Sequence, residues 1–279
     1  MNNVLFALLL TLAAGLSTGL GGLVILFTRA ADKKFLSICL SFSAGIMLYV
    51  SFAEIFLKAF ESLQYAFDDE IGYLVLTISF FTGIAIMVII DKFIPDDEAH
   101  TEPLETSTPS TPSTQAESAD YKENRELKRT GISSALAIAI HNFPEGLITF
   151  MAALYDPGMG IVIAIAITIH NIPEGIAIAA PIYYATGSKM KAFLVAVGAG
   201  LTEPLGALIA WLLFRNMLNE MDAAFGIIFA AVSGIMLFVA IHQLLPTAQK
   251  YGKHHLVMKW MFIGMLVMAV SLVLMNLFF

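Results

Sequence analysis

The sequence predicts an all-α polytopic membrane protein, and three observations carry that prediction. Hydrophobic residues make up 58% of the chain and charged residues only 13%, where a soluble domain is roughly a quarter charged. The mean hydropathy is +0.80. Apolar runs near the length of about 20 residues that spans a bilayer occur eight times.

The first run, near 4–28, follows MNN with no positive region ahead of it, so it reads as a first span and not as a cleaved leader. It carries GLSTGLGGL at 15–23. The second, near 35–58, holds the lone Cys39, which excludes an intramolecular disulfide, and the string SAGIMLYVSFAEI at 43–55. A third run follows near 72–91. Residues 95–130 are rich in Pro, Ser, Thr and Glu and poor in large apolar side chains, the composition of a disordered cytoplasmic loop. The fourth and fifth runs, near 131–154 and 158–185, carry HNFPEG at 141–146 and HNIPEG at 170–175. The sixth, near 188–214, contains GLTEPLGAL at 200–208; the seventh, near 223–246, contains VSGIMLFVAIHQL at 232–244; the eighth lies near 256–279.

Orientation follows from the Lys/Arg bias of the loops. With the amino terminus outside, thirteen of the 15 basic residues fall on inner loops, and only Lys58 and Arg215 fall outside. Both termini are then extracytoplasmic, in a protein of the cytoplasmic (inner) membrane.

Two internal echoes set the architecture. GLSTGLGGL matches GLTEPLGAL, and SAGIMLYVSFAEI matches VSGIMLFVAIHQL, at offsets of 185 and 189. Spans 1–3 therefore read as duplicated in spans 6–8. Span 1 runs inward and span 6 outward, so the duplication is inverted in the membrane. The expected plan is 3+2+3: residues 1–94 as helices 1–3, the 95–130 loop, 131–185 as helices 4–5, and 186–279 as helices 6–8, all one membrane domain. Inverted repeats mark secondary transporters, whose sites lie near the midplane between repeats.

The twin motifs place polar groups there. Residues three and four apart share a helix face, so His141 and Glu145 are neighbours with Asn142, and His170, Asn171 and Glu174 repeat the set. Pro144 and Pro173 remove backbone donors, a break tolerated in hydrocarbon only beside protein or a polar cavity. An acidic residue at a helix centre costs about 2.5–3.5 kcal/mol, and Glu145, Glu174 and Glu203 make three of them. No intramembrane Lys or Arg offsets that charge, which leaves protons or a metal cation. Imidazoles with carboxylates and amide oxygens suit a borderline divalent ion: imidazole favours zinc, iron, nickel and copper, while carboxylates and carbonyl oxygens tolerate manganese and magnesium. Magnesium or calcium does not usually recruit histidine. An intramembrane di-metal enzyme is the alternative, but neither a Glu-x-x-His set with further carboxylates nor HExxH occurs. Glu54 near the outer end of span 2 and His242 near the inner end of span 7 are candidate pathway residues, as is Met47.

These residues resemble the ZIP (Zrt-/Irt-like) divalent metal transporters, in particular their bacterial ZupT-like branch. The resemblance covers the whole chain: eight spans, both termini outside, a variable loop after span 3, and HNxPEG on spans 4 and 5. It implies uptake of zinc, with iron, manganese, cobalt and cadmium as further cargo, through a binuclear site between spans 2, 4, 5 and 6. By that resemblance His141, Glu145, His170 and Glu174 form a first metal position, with Met47 beside it. Asn142, Asn171 and Glu203 form a second with the shared Glu145 and Glu174. It also implies a transport group (spans 1, 4, 5 and 6) moving against a scaffold (spans 2, 3, 7 and 8), commonly in a homodimer. The loop lacks the His-rich run of many members. Divalent ions and the bilayer are the expected partners; no nucleic acid, fixed cofactor or catalytic residue is expected.

Overall fold

The computed structural model describes residues 2–27, 33–92, 132, 135–136, 138–215 and 221–278. The 95–130 loop, with His100, lies outside them. Every regular element among the described residues is helical: α1 (Asn2–Phe27), α2 (Lys33–Val50), α3 (Phe56–Ala66), α4 (Asp69–Asp91), α5 (138–155), α6 (Pro157–Thr186), α7 (Lys189–Gly200), α8 (Thr202–Phe214), α9 (Met221–Phe238), α10 (Leu245–Tyr251) and α11 (His254–Phe278). The chain is an integral membrane protein. Among the described residues seven helical stretches are long and apolar enough to cross a bilayer: Asn3–Val24, Lys34–Ala66, Asp69–Asp91, Pro157–Tyr183, Lys189–Phe214, Asp222–Tyr251 and His254–Met275. The fourth expected span begins outside the described residues and continues as α5.

Three features depart from simple spans. The second span runs on to Ala66, beyond the expected boundary near 58, because α3 buries Ala59, Ser62 and Leu63 while Glu61 and Tyr65 face out. A π turn at Ser51–Ile55 joins α2 to α3, and another at Val239–Leu244 joins α9 to α10, which carries the seventh span to Tyr251. The sixth span is broken at Leu201 between α7 and α8. Pro204 supplies no N–H to the Gly200 carbonyl and sits in the first turn of α8, where no such donor is needed. By contrast, the helix runs on through Pro144 in α5 and through Pro173 in α6.

The helices meet backbone to backbone where glycine removes the β-carbon. A β-carbon at Gly21 would collide with the carbonyl of Ile172, and one at Gly175 with that of Thr18, which seats α1 against α6. Gly146 meets the Glu203 carbonyl and Gly206 that of Phe143 in the same way, which seats α5 against α8. Gly45 and Gly264 weld α2 to α11, while Gly83 and Gly234 weld α4 to α9. Small residues at such contacts are what membrane helices use where lipid gives no hydrophobic drive to associate.

These approaches divide the helices into two sets: α1, α5, α6, α7 and α8 in one, α2, α3, α4, α9, α10 and α11 in the other. Among the described residues no glycine collision of this kind joins one set to the other. The sets meet where α2 packs on α6, and where the Tyr155 hydroxyl donates to Asp222 Oδ1 at 2.7 Å. The exposed faces of α4 (Leu74, Ile78, Phe81) and α11 (Leu266, Val270, Val273) are apolar.

Candidate metal centre

Seven polar residues of the predicted site are fully or almost fully buried: His141, Asn142, Glu145, His170, Asn171, Glu174 and Glu203. Helix α5 delivers the first three, α6 the next three and α8 the last. The glycine contacts set their convergence, since Gly146 and Gly175 follow the two glutamates directly and let α8 and α1 close in beside them.

The pairing crosses between helices. His141 Nε2 lies 3.1 Å from Glu174 Oε2, and His170 Nε2 lies 3.2 Å from Glu145 Oε1. The sequence makes His141 and Glu145 neighbours on one face, but the structure joins each histidine to the other motif's glutamate. Side chains one turn apart on a helix point the same way, so both reach toward the facing antiparallel helix rather than toward each other. His170 Nδ1 faces the Ala166 carbonyl at 3.1 Å, which fixes the ring from behind. Among the described residues no three His, Cys, Asp or Glu groups converge in metal-ligand geometry; in this arrangement the imidazoles and carboxylates hold one another.

Beside the crossed pairs lies a second polar group. Asn171 Nδ2 donates to Glu203 Oε1 and, at 3.1 Å, to the Ala14 carbonyl of α1. Glu203 sits in the first turn of α8, where the helix N-terminus favours a carboxylate. The break before Pro204 thus puts an acid at a helix start deep inside the molecule. Asn142 Oδ1 and Nδ2, Asn171 Oδ1, Glu145 Oε2, Glu203 Oε2 and Thr18 Oγ1 are buried with no hydrogen-bond partner among the described residues. Buried polar groups are nearly always satisfied, so a cluster of bare acceptor oxygens around two imidazoles fits a cation.

The candidate pathway residues lie on α2 and in the two π turns. Met47 is buried on α2. Glu54 is half-buried in the first π turn, and His242 is exposed in the second. His242 Nε2 lies 2.9 Å from Asp91 Oδ2, and Gln243 Nε2 donates to Asp91 Oδ1 at 3.2 Å. Sequence reasoning missed Asp91; its signal is an acid closing an otherwise apolar span. It also missed Ser43, whose hydroxyl donates to Glu174 Oε1 at 3.1 Å. Ser43 is one of three serines on α2, with Ser37 and Ser41, and no pattern sets it apart from them.

The sequence profile described as "ZIP Zinc transporter" matches residues 91–272. The chain is 51% identical to the zinc transporter ZupT of Clostridium perfringens, over 98% of this chain and 97% of the relative. It is 49% identical to the zinc transporter ZupT of Chlorobaculum parvum, over 98% of each chain. It is 49% identical to the zinc transporter ZupT of Streptococcus mutans, over 96% of this chain and 97% of the relative.

Proposed function

The chain belongs to the ZIP zinc transporter family, and from that premise we propose that it carries zinc ions across the cytoplasmic membrane into the cell through the crossed histidine–glutamate site. It is a membrane transporter and not an enzyme, as its relatives are. The observation that carries the proposal is the pair of buried contacts His141–Glu174 and His170–Glu145, set among unpartnered carboxylate and amide oxygens.

The mechanism follows from that geometry. An arriving zinc ion separates the crossed pairs and takes both imidazoles and both carboxylates as ligands, with Met47 beside them. Ligands must be deprotonated to bind, so metal binding releases protons. A second ion is held by Asn142, Asn171 and Glu203 with the shared glutamates. Neutral imidazole and carboxylate ligands without thiolates release a cargo more readily than a Cys-rich structural site. Iron, manganese, cobalt and cadmium are the further cargo this donor set accepts.

Alternating access is the motion we infer. Glycine collisions confined within each set support two rigid groups, the α1/α5–α8 group carrying the site and the other serving as scaffold, commonly in a homodimer. The 3+2+3 inverted repeat, with the domain division read from sequence, has matching support. Gly21 against Ile172 and Gly206 against Phe143 are one contact made twice, in the register that pairs Gly15 with Gly200 and His141 with His170. The two π turns also fall in the echoed segments. With both termini outside, Glu54 lies toward the outer mouth and the His242–Asp91 pair toward the cytoplasmic one, where a departing ion meets it.

The test is zinc uptake into proteoliposomes holding the intact protein, Glu145→Ala or Glu174→Ala. Uptake is expected to saturate with zinc concentration and to vanish in both variants while membrane insertion persists. Undiminished flux in either variant removes the site from the pathway, and flux rising linearly with concentration replaces the carrier with a channel.

A further inference from the structure

Ser43 has no part in the ligand sets above, yet it makes the two crossed pairs unequal. Glu174 has both oxygens engaged: Oε2 faces His141 Nε2 at 3.1 Å, and Oε1 accepts from Ser43 Oγ at 3.1 Å. Glu145 has one: Oε1 faces His170 Nε2 at 3.2 Å, while Oε2 has no partner. Aligning SAGIML with VSGIML sets Val232 opposite Ser43, and a valine has no proton to donate. Ser43 is fully buried and also lies 3.4 Å from the His170 carbonyl, so it touches α6 twice from α2. Met47, one turn on, shares its face of the helix.

We propose that Ser43 is a positioning residue for the transported ion: reaching from α2, its hydroxyl fixes the Glu174 carboxylate and leaves Glu145 as the glutamate with an oxygen free to turn to the cargo. The inference rests on the metal site proposed above. A hydrogen bond to a charged group is among the stronger ones a protein makes, and a partner behind a ligand sets that ligand's direction and basicity. Losing such a partner costs about 10–100-fold in metal affinity.

Three variants test it in the proteoliposome assay, with KM and Vmax read separately and thermal unfolding followed alongside. Ser43→Ala is expected to raise the zinc KM about tenfold, with no loss of Vmax and an unchanged unfolding midpoint. Ser43→Thr keeps the hydroxyl and is expected to restore the KM. A packing role predicts the reverse order, since alanine is smaller than serine and threonine adds a methyl. An unchanged KM in Ser43→Ala, or a KM in Ser43→Thr as high as that of Ser43→Ala, overturns the proposal. Glu174→Ala separates the two readings. If it still transports, the metal site itself fails; if it is inactive while Ser43→Ala is unaffected, only the role of the serine fails.

Discussion

The two polar groups at the centre of this molecule, one of imidazoles and carboxylates and the other of amides and a carboxylate, are satisfied differently. In the crossed half, each imidazole reaches a carboxylate on the opposite helix at 3.1 or 3.2 Å. In the half around Glu203, Asn142 has neither amide atom bonded, and Asn171 and Glu203 each keep one bare oxygen. An unsatisfied buried group costs about 1–3 kcal/mol, more than folding alone would retain several times over. On the function proposed above, the halves have separate work: the crossed half, where only His141 Nδ1 and Glu145 Oε2 stay bare, holds itself together until a cation exchanges for its protons, and the cargo completes the other half.

Breaking the crossed half has the largest expected effect. Glu174→Gln keeps the shape and removes the charge, and zinc uptake is expected to fall at least about 100-fold, at the upper end for lost metal-site groups. His141→Ala leaves Glu174 without its imidazole. Breaking a buried pair costs about 3–5 kcal/mol, so this variant is expected to lose thermal stability as well as flux. Stability held at the level of the intact protein would make the pair dispensable to the resting fold.

The second half is expected to yield less. Asn171→Ala removes a donor to Glu203 and to the Ala14 carbonyl together, and its zinc KM is expected to rise about tenfold with uptake retained. A loss as complete as that of Glu174→Gln would erase the distinction between the halves. The scaffold around them is probed by a pair of glycines. A β-carbon at Gly146 runs into the Glu203 backbone, while one at Gly198 meets nothing within 4 Å. Gly146→Ala is expected to cost about 1–3 kcal/mol or more through overpacking, read as a lower unfolding midpoint. Gly198→Ala is expected to be neutral or to gain up to about 1 kcal/mol from helix propensity.

How much of this was legible in the sequence depended on contrast. His141, Asn142, Glu145 and their counterparts stood out because polar groups in an apolar run are costly, and the third acid, Glu203, stood out for the same reason. The spans were legible from hydropathy to within their amphipathic ends; α3 and α10 extend two of them because a helix outlasts its apolar stretch. The crossing of the pairs was not legible. Spacing along one helix reports which side chains share a face, and which partner they find depends on how the glycine contacts set α5 and α6. Ser43 and Asp91 were invisible for a different reason: each is a single polar residue whose meaning comes from a neighbour more than a hundred positions away.

If zinc replaces the crossed pairs, His141 and His170 bind one ion together. X-ray absorption at the zinc edge, on purified protein loaded with zinc, measures this directly. The prediction is a nitrogen and oxygen shell with the outer-shell scattering of two imidazoles, falling to one in His170→Ala and to none in the double variant with His141→Ala. Two-imidazole scattering that survives the double substitution would contradict it.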